Sequence, residues 1–202
     1  MVNATSNYNT GLLLVISGPS GVGKTTITHR VEQHFGAVFS VSMTTRPKTD
    51  DDVEGRDYFF VSAEEFKRRR DAGELLEWAE VFGNCYGTPG APVQEHLKEG
   101  KIVILEIDVQ GAIQVRLNMP EVFAIFVDPP SEEELLRRLR GRGREDEATI
   151  QRRFSKARQE IQLAHECGAY DRFIVNDDLD KAVKEAIEVV EAELERRRAG
   201  VG

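Results

Sequence analysis

Gly18-Pro19-Ser20-Gly21-Val22-Gly23-Lys24-Thr25 sets a lysine and a hydroxyl directly after a glycine-rich stretch, in the spacing G-x-x-x-x-G-K-T. Each residue type has a physical reason to be there. Glycines let consecutive backbone N–H groups curl around an anion, and a helix opening at the lysine adds partial positive charge. Lys24 reaches terminal phosphates, and the Thr25 hydroxyl is a ligand for Mg²⁺. Residues Gly18, Pro19, Ser20, Gly21, Val22, Gly23, Lys24, Thr25 and Thr26 therefore form a candidate phosphate cradle. A glycine-rich turn without a ligand is the bland alternative, and it is disfavoured by the apolar strand before it and the helical pattern after it.

Two further groups stand out. In "KIVILEID", Glu106 and Asp108 are two residues apart, so a strand would turn both to one side near its carboxyl end, where open α/β sheets bind ligands. "RRLRGRGRED" puts Arg138 and Arg142 about one helical turn apart. A solvated charged face is the ordinary reading of such a run, a nucleic-acid patch is a lesser one, and acidic flanks weaken the latter. His29, His34, His96 and His165 match no motif and read as surface or packing residues.

The elements that must position these residues follow from pattern. Leu12 to Ser17 is a continuous apolar run suited to a strand buried on both faces of a parallel sheet, and a helical pattern follows from Lys24 to Phe35. "AVFSVSMTTRP" reads as one strand, "KTDDDVEGRD" as a loop and "YFFVS" as a second strand. Ser62 is a candidate N-cap for a helix closed by Gly73, and two strands are expected around Phe82 to Asn84. This middle segment reads as a small antiparallel insertion. Regular alternation then resumes: a helix near Gln94 to Glu99, strand "KIVILEID", a helix from Val109 to Leu117 and strand "VFAIFVD". Ser131 opens an acid-first, arginine-last helix, a long helix runs from about Asp146 to Cys167, and "RFIVN" and a final helix from Leu179 complete the chain.

Totals limit the class. The chain of 202 residues suits one folding unit, and its 40% hydrophobic and 31% charged content is that of an ordinary globular protein. A net charge of -8 disfavours a protein that coats nucleic acid or an anionic membrane. No apolar run approaches the roughly 18 residues needed to cross a bilayer. Residues 1–10 read as a disordered polar tail without a secretory signal, and Cys85 and Cys167 lack metal spacing, so a reduced cytoplasmic setting is expected.

"SVSMTTRP", "EGRDYFFVS", "LLEWAEVFGNCYGTP", "ILEIDVQGA", "RLRGRG" and "IVNDDL" occur in the order and spacing found in guanylate kinases. The chain resembles that family from Leu12 to about Ile187. The resemblance implies an α/β fold: a P-loop NTPase core of parallel sheet flanked by helices (11–38 and 93–202), a strand-rich mononucleotide-binding insertion (39–92) and a helical lid (about 138–153). It implies ATP as donor, Mg²⁺ as cofactor, and GMP, with dGMP, as acceptor. Positions matching Glu77 and Thr88 read guanine, with Asp108 on the amine side; those matching Ser42, Arg46, Tyr58 and Tyr86 hold the acceptor phosphate. Those matching Arg138, Arg142 and Arg153 close over the triphosphate, and Asn176 lies by the donor adenine. Glu106 is assigned to the water around Mg²⁺. One departure concerns the second arginine usual in the family three residues after Arg46: this chain has Thr49, and Lys48 is the candidate replacement.

Two rivals are a guanylate-kinase-like module that holds a phosphopeptide and a kinase of a sugar phosphate. An intact phosphate loop with lid arginines argues against the first, and Glu77, Thr88 and Asp108 argue against the second. Hydrolysis by water is disfavoured because nothing resembles a water-orienting residue. No nucleic acid, membrane or obligatory protein partner is expected.

Overall fold

Leu12–Ser17 (β1) is buried along its whole length, and its two faces enter different layers. Leu12, Leu14 and Ile16 face one hydrophobic cluster, while Leu13 and Val15 face another. This two-sided burial explains the unbroken apolar run: in a strand of period two, alternation disappears when both faces are covered. Each such fully buried side chain contributes about 1.5–3 kcal/mol relative to exposure.

The computed structural model describes residues 11–81, 83–141 and 146–200. The tail expected at 1–10 therefore lies outside the described residues. The core sheet is wholly parallel in the order β2 (Val38–Phe39), β7 (Ile102–Glu106), β1, β8 (Phe123–Asp128) and β9 (Arg172–Val175). Helices α1 (Lys24–Phe35) and α7 (Leu179–Arg198) cover one face through Ile27, Val31, Ala182, Ala186 and Val190. Helices α3 (Gly90–Lys98) and α4 (Val109–Asn118) cover the other through Val93, Ala112 and Val115. α5 (Glu132–Arg140) and α6 (Glu147–Glu166) pack on each other through Leu135, Leu139, Ile150 and Ala157. Ser131 and Asp146 cap these two helices, accepting from the backbone N–H groups of Glu134 and Thr149.

A second sheet has the order β4 (Phe59–Phe60), β3 (Met43–Thr44), β6 (Asn84–Pro89) and β5 (Leu75–Val81), with α2 (Ala63–Asp71) packing Phe66 against Met43 and Leu75. Three expectations are corrected here. "AVFSVSMTTRP" is not one strand: Val38–Phe39 pairs with β7 in the core sheet, and Met43–Thr44 pairs with β4 and β6 in the second sheet. The second sheet is mixed rather than antiparallel, because the loop between β3 and β4 carries the chain back to run parallel to β3. Asp108 does not share a strand with Glu106; the strand stops at Glu106, and Asp108 turns its carboxylate to the Gly111 N–H at 2.9 Å as the N-cap of α4.

Among the described residues, no helix is long and apolar enough to cross a membrane.

Candidate active site

The phosphate loop leaves the carboxyl end of β1, the central strand of the core sheet, and delivers the chain to the first turn of α1. Gly23 holds φ 92, and a Cβ there would lie 2.6 Å from Asn176 Nδ2, so glycine is required for conformation and for space. The free N–H groups at the start of α1 make this end electropositive. Lys24 Nζ donates to the Gly18 carbonyl oxygen at 3.0 Å. Burial lowers the Lys24 pKa, while the carboxylates of Glu106, Glu160 and Asp108 oppose that shift. The Thr25 hydroxyl donates to Glu106 Oε1 at 2.7 Å, bringing a hydroxyl and a carboxylate together beside the loop.

Two of the expected arginines converge here. Arg153, on α6, donates to the Ser20 hydroxyl. Arg138, in the last turn of α5, donates through Nε to Glu134 Oε1 at 2.7 Å and through Nη2 to the Asn176 carbonyl oxygen at 3.0 Å. α5 ends at Arg140, and Arg142 lies outside the described residues. Asn176 is buried, and its side-chain amide donates to the Val22 carbonyl oxygen at 2.7 Å, bracing the loop from behind. Thr26 is exposed on the first turn of α1.

In the second sheet, β5 and β6 place Glu77 directly opposite Thr88. Both are buried, and the Thr88 hydroxyl donates to Glu77 Oε1 at 2.6 Å. Burial pushes the Glu77 carboxyl up to about 7; the Thr88 hydrogen bond opposes the rise and the nearby Asp108 adds to it. The other oxygen faces α4: a Cβ on Gly111 would stand 3.0 Å from Glu77 Oε2. Asp108 and Glu77 thus both approach Gly111 in the first turn of α4.

A third group lies on β3, β4 and β6. Arg46 pairs with Asp52 through both terminal nitrogens, Nη1 to Oδ2 at 3.0 Å and Nη2 to Oδ1 at 2.8 Å. Its guanidinium carbon sits 5.5 Å from the Tyr58 ring centre and 5.4 Å from that of Phe60. Tyr58 in turn meets the Tyr86 ring at 5.7 Å, inclined by 65°. Ser42 is half-buried, and its carbonyl accepts from the Phe59 N–H at 2.9 Å; Lys48 is exposed.

The site thus comprises a glycine-rich loop at the end of β1 and, on the second sheet, a buried acid–hydroxyl pair and an arginine framed by aromatic rings. The family model described as guanylate kinase matches residues 10–193. The chain belongs to the guanylate kinase family. A guanylate kinase of Gloeobacter violaceus is 52% identical over 177 residues, covering 87% of this chain and 84% of that protein. One of Symbiobacterium thermophilum is 48% identical over 191 residues, covering 94% and 89%. The crystal structure of the guanylate kinase of Anaplasma phagocytophilum aligns with a TM-score of 0.71 at 38% identity, covering 92% of this chain and 87% of that one. Membership agrees with the expected α/β fold, a parallel sheet flanked by helices.

Several contacts at the guanylate kinase site were not legible in the sequence. Asp52 and Thr49 beside Arg46, Gly111 behind Glu77, and Glu160 near Lys24 carry no motif of their own. Lys156, one turn after Arg153 on α6, makes an ion pair with Glu160 at 3.5 Å. Only the helical spacing of Arg153, Lys156 and Glu160 could have hinted that they share a face. His165 serves packing, stacking on Phe173 at 4.2 Å and meeting Asp128 Oδ2 at 3.0 Å.

Proposed function

We infer that this chain transfers the γ-phosphoryl group of ATP to GMP, giving ADP and GDP, and that dGMP is also an acceptor. The observation that carries the reading is the buried Glu77–Thr88 pair beside Asp108. Guanine offers an N1–H and an exocyclic amine on one edge with a carbonyl oxygen beside them, which suits a carboxylate and a hydroxyl donor. Adenine would turn a lone pair toward Glu77 and leave a buried charge unpaired, a mismatch that discriminates by about 10⁴-fold or more.

In the proposed reaction, an oxygen of the GMP phosphate forms the new bond to the γ-phosphorus while the bond to the β–γ bridging oxygen breaks, leaving its electrons on ADP. The acceptor oxygen is already anionic, so no side-chain base is required, and the chain's task is alignment and charge neutralisation. Lys24 on the loop, Arg153 bonded to Ser20 and Arg138 bonded to the Asn176 carbonyl are assigned to that task, and Arg142 is assigned to it by family resemblance alone. Arg46, with Ser42, Tyr58 and Tyr86, is assigned to the acceptor phosphate, and Lys48 to a supplementary charge. Asn176 is assigned to the donor side.

Among the described residues, no cluster of three or more His, Cys, Asp or Glu side chains could by itself hold a metal. That suits Mg²⁺, which takes few protein ligands and prefers phosphate and water oxygens. The Thr25 hydroxyl fits as the direct ligand, with Glu106 as the acceptor for metal-bound water; the ion would supply neutralisation of the β- and γ-oxygens. We assign residues 39–92 to the GMP-binding insertion, 11–38 and 93–202 to the core and about 138–153 to the lid, and the cytoplasm as the setting.

A coupled assay of ADP release over GMP, dGMP, AMP, UMP and CMP tests the reading. GMP and dGMP should be accepted and the others rejected. Equal use of AMP and GMP would refute it.

A further inference from the structure

We propose that Asp52, locked by Thr49, is a positioning residue that aims the side edge of Arg46 at the acceptor phosphate. The proposal rests on the assignment of Arg46 to that phosphate. Asp52 is more enclosed than its partner, with 14% of its side chain exposed against 26% for Arg46. Its carboxylate accepts four hydrogen bonds: from Arg46 Nη2 at 2.8 Å, Arg46 Nη1 at 3.0 Å, the Thr49 backbone N–H at 2.8 Å and the Thr49 hydroxyl at 2.7 Å. The Thr49 contacts fix the carboxylate before any ligand arrives.

The consequence for Arg46 follows from the donors of a guanidinium, five N–H bonds in one plane. Nη1 donates both to Asp52 and to the Pro47 carbonyl oxygen at 3.1 Å, and Nη2 donates once to Asp52. Left over are the Nε–H and the second Nη2–H. These two point the same way along one edge of the fork, with the spacing that matches two oxygens of a phosphate. The Tyr58 and Phe60 rings, with centres at 5.5 and 5.4 Å, restrict rotation of the same plane. Asp52 thus removes the wrong edge from use and holds the right one still.

This gives the Thr49 departure a role. Where guanylate kinases usually bring a second arginine, this chain uses the same position to anchor the carboxylate that orients the one it has. Orientation of Arg46 adds to the supplementary charge assigned to Lys48.

Steady-state kinetics of D52N, D52A, T49V and D52E, with melting temperatures, provide the test. D52N and D52A should raise the GMP KM about five- to twentyfold and leave the ATP KM within about twofold. T49V should move the GMP KM the same way by less, and D52E should return it to within about threefold of wild type. In an R46K background, where no fork remains to be aimed, D52N should add less than about twofold. A GMP KM that is unchanged or lower in D52N would overturn the proposal, since the carboxylate would then be idle or a competitor of the phosphate. So would a parallel rise in the ATP KM, or the full D52N effect persisting in R46K. If D52A lowers the melting temperature, T49V and D52E decide. A wild type that fails to phosphorylate GMP removes the parent reading; an active wild type with an indifferent D52N removes only this inference.

Discussion

Glu77 must be ionised to accept from guanine, yet burial holds its carboxyl at about 7, so GMP binding should titrate in the physiological range. In the free protein at pH 6, only about one-tenth of the molecules would carry the charged form, and the apparent GMP KM should rise about tenfold above its alkaline plateau. The GMP phosphate itself titrates near pH 6, as phosphate monoesters do, so wild type alone is ambiguous. Glu77→Gln resolves this, because the substrate's titration persists in the variant while that of residue 77 does not. The expected result is a wild-type to E77Q ratio of GMP KM values that climbs about tenfold between pH 8 and pH 6, with a flat ATP KM ratio. A ratio constant from pH 5.5 to 8.5 would refute the assignment of Glu77 as the charged reader.

The same group makes a prediction about stability. Its folded pKa lies above the unfolded 4.5, so the folded state binds more protons between about 4.5 and 7. Stability from this source is fully present below pH 4.5 and is lost as pH rises through 7. Holding the carboxyl at about 7 rather than 4.5 corresponds to a penalty of about 3 kcal/mol at pH 8, to order of magnitude. E77Q should therefore melt higher than wild type at pH 8, by roughly 5–10 °C for a chain of this size, and within about 2 °C of it at pH 4.5. Calorimetry at the two values checks this; equal differences at both would count against a buried charge as the cause. The gain would coincide with loss of GMP binding, the pattern of a site that gives up stability for recognition.

Two further outcomes are expected. Gly111→Ala puts a methyl 3.0 Å from Glu77 Oε2, so it should raise the GMP KM several-fold with little change in the ATP KM, as read by initial rates. Asn176→Ala removes the 2.7 Å bond to the Val22 carbonyl oxygen, so it should lower stability by about 1–3 kcal/mol and raise the ATP KM more than the GMP KM, as read by denaturant unfolding and kinetics.

Elements governed by local chemistry were legible in the sequence. β1 and α1 have the bounds that the apolar run, the phosphate-loop glycines and Gly36 indicate, and Ser62 caps α2 through the Glu65 N–H. Where a tertiary partner decides, the sequence was mute. Residues 37–47 carry strand propensity throughout, but propensity does not say which sheet a strand joins, and this segment joins two. Asp108 is the instructive miss. An aspartate before Val-Gln-Gly is a good N-cap, and that signal competed with the strand pattern of "KIVILEID". At the site, motifs supplied the residues assigned to phosphate and base. The contacts that aim them, such as Thr49 to Asp52 and Asn176 to Val22, join residues whose pairing depends on how loops fold.

The position of Glu77, the proposed base reader, follows from one helix. β5 is tied to α4 at three points: the Trp78 N–H donates to Gln114 Oε1 at 3.1 Å, Gln114 Nε2 donates to the Trp78 carbonyl at 2.9 Å, and Asn118 Nδ2 donates to the Leu76 carbonyl at 2.8 Å. Leu76 also packs in the core cluster with Val93, Ala112 and Val115. Glu77 therefore stands between two residues fixed to the core, and its approach to Asp108 is set by strand-to-helix contact. Arg46 and Tyr58 sit on the far side of the same sheet, beyond β6, where β3 and β4 end the sheet. The residues proposed for the base and for the phosphate of the acceptor thus belong to parts of the second sheet with different attachment to the core. Any movement of β3 and β4 would carry Arg46 with its Asp52 clamp while leaving Glu77 in place against α4.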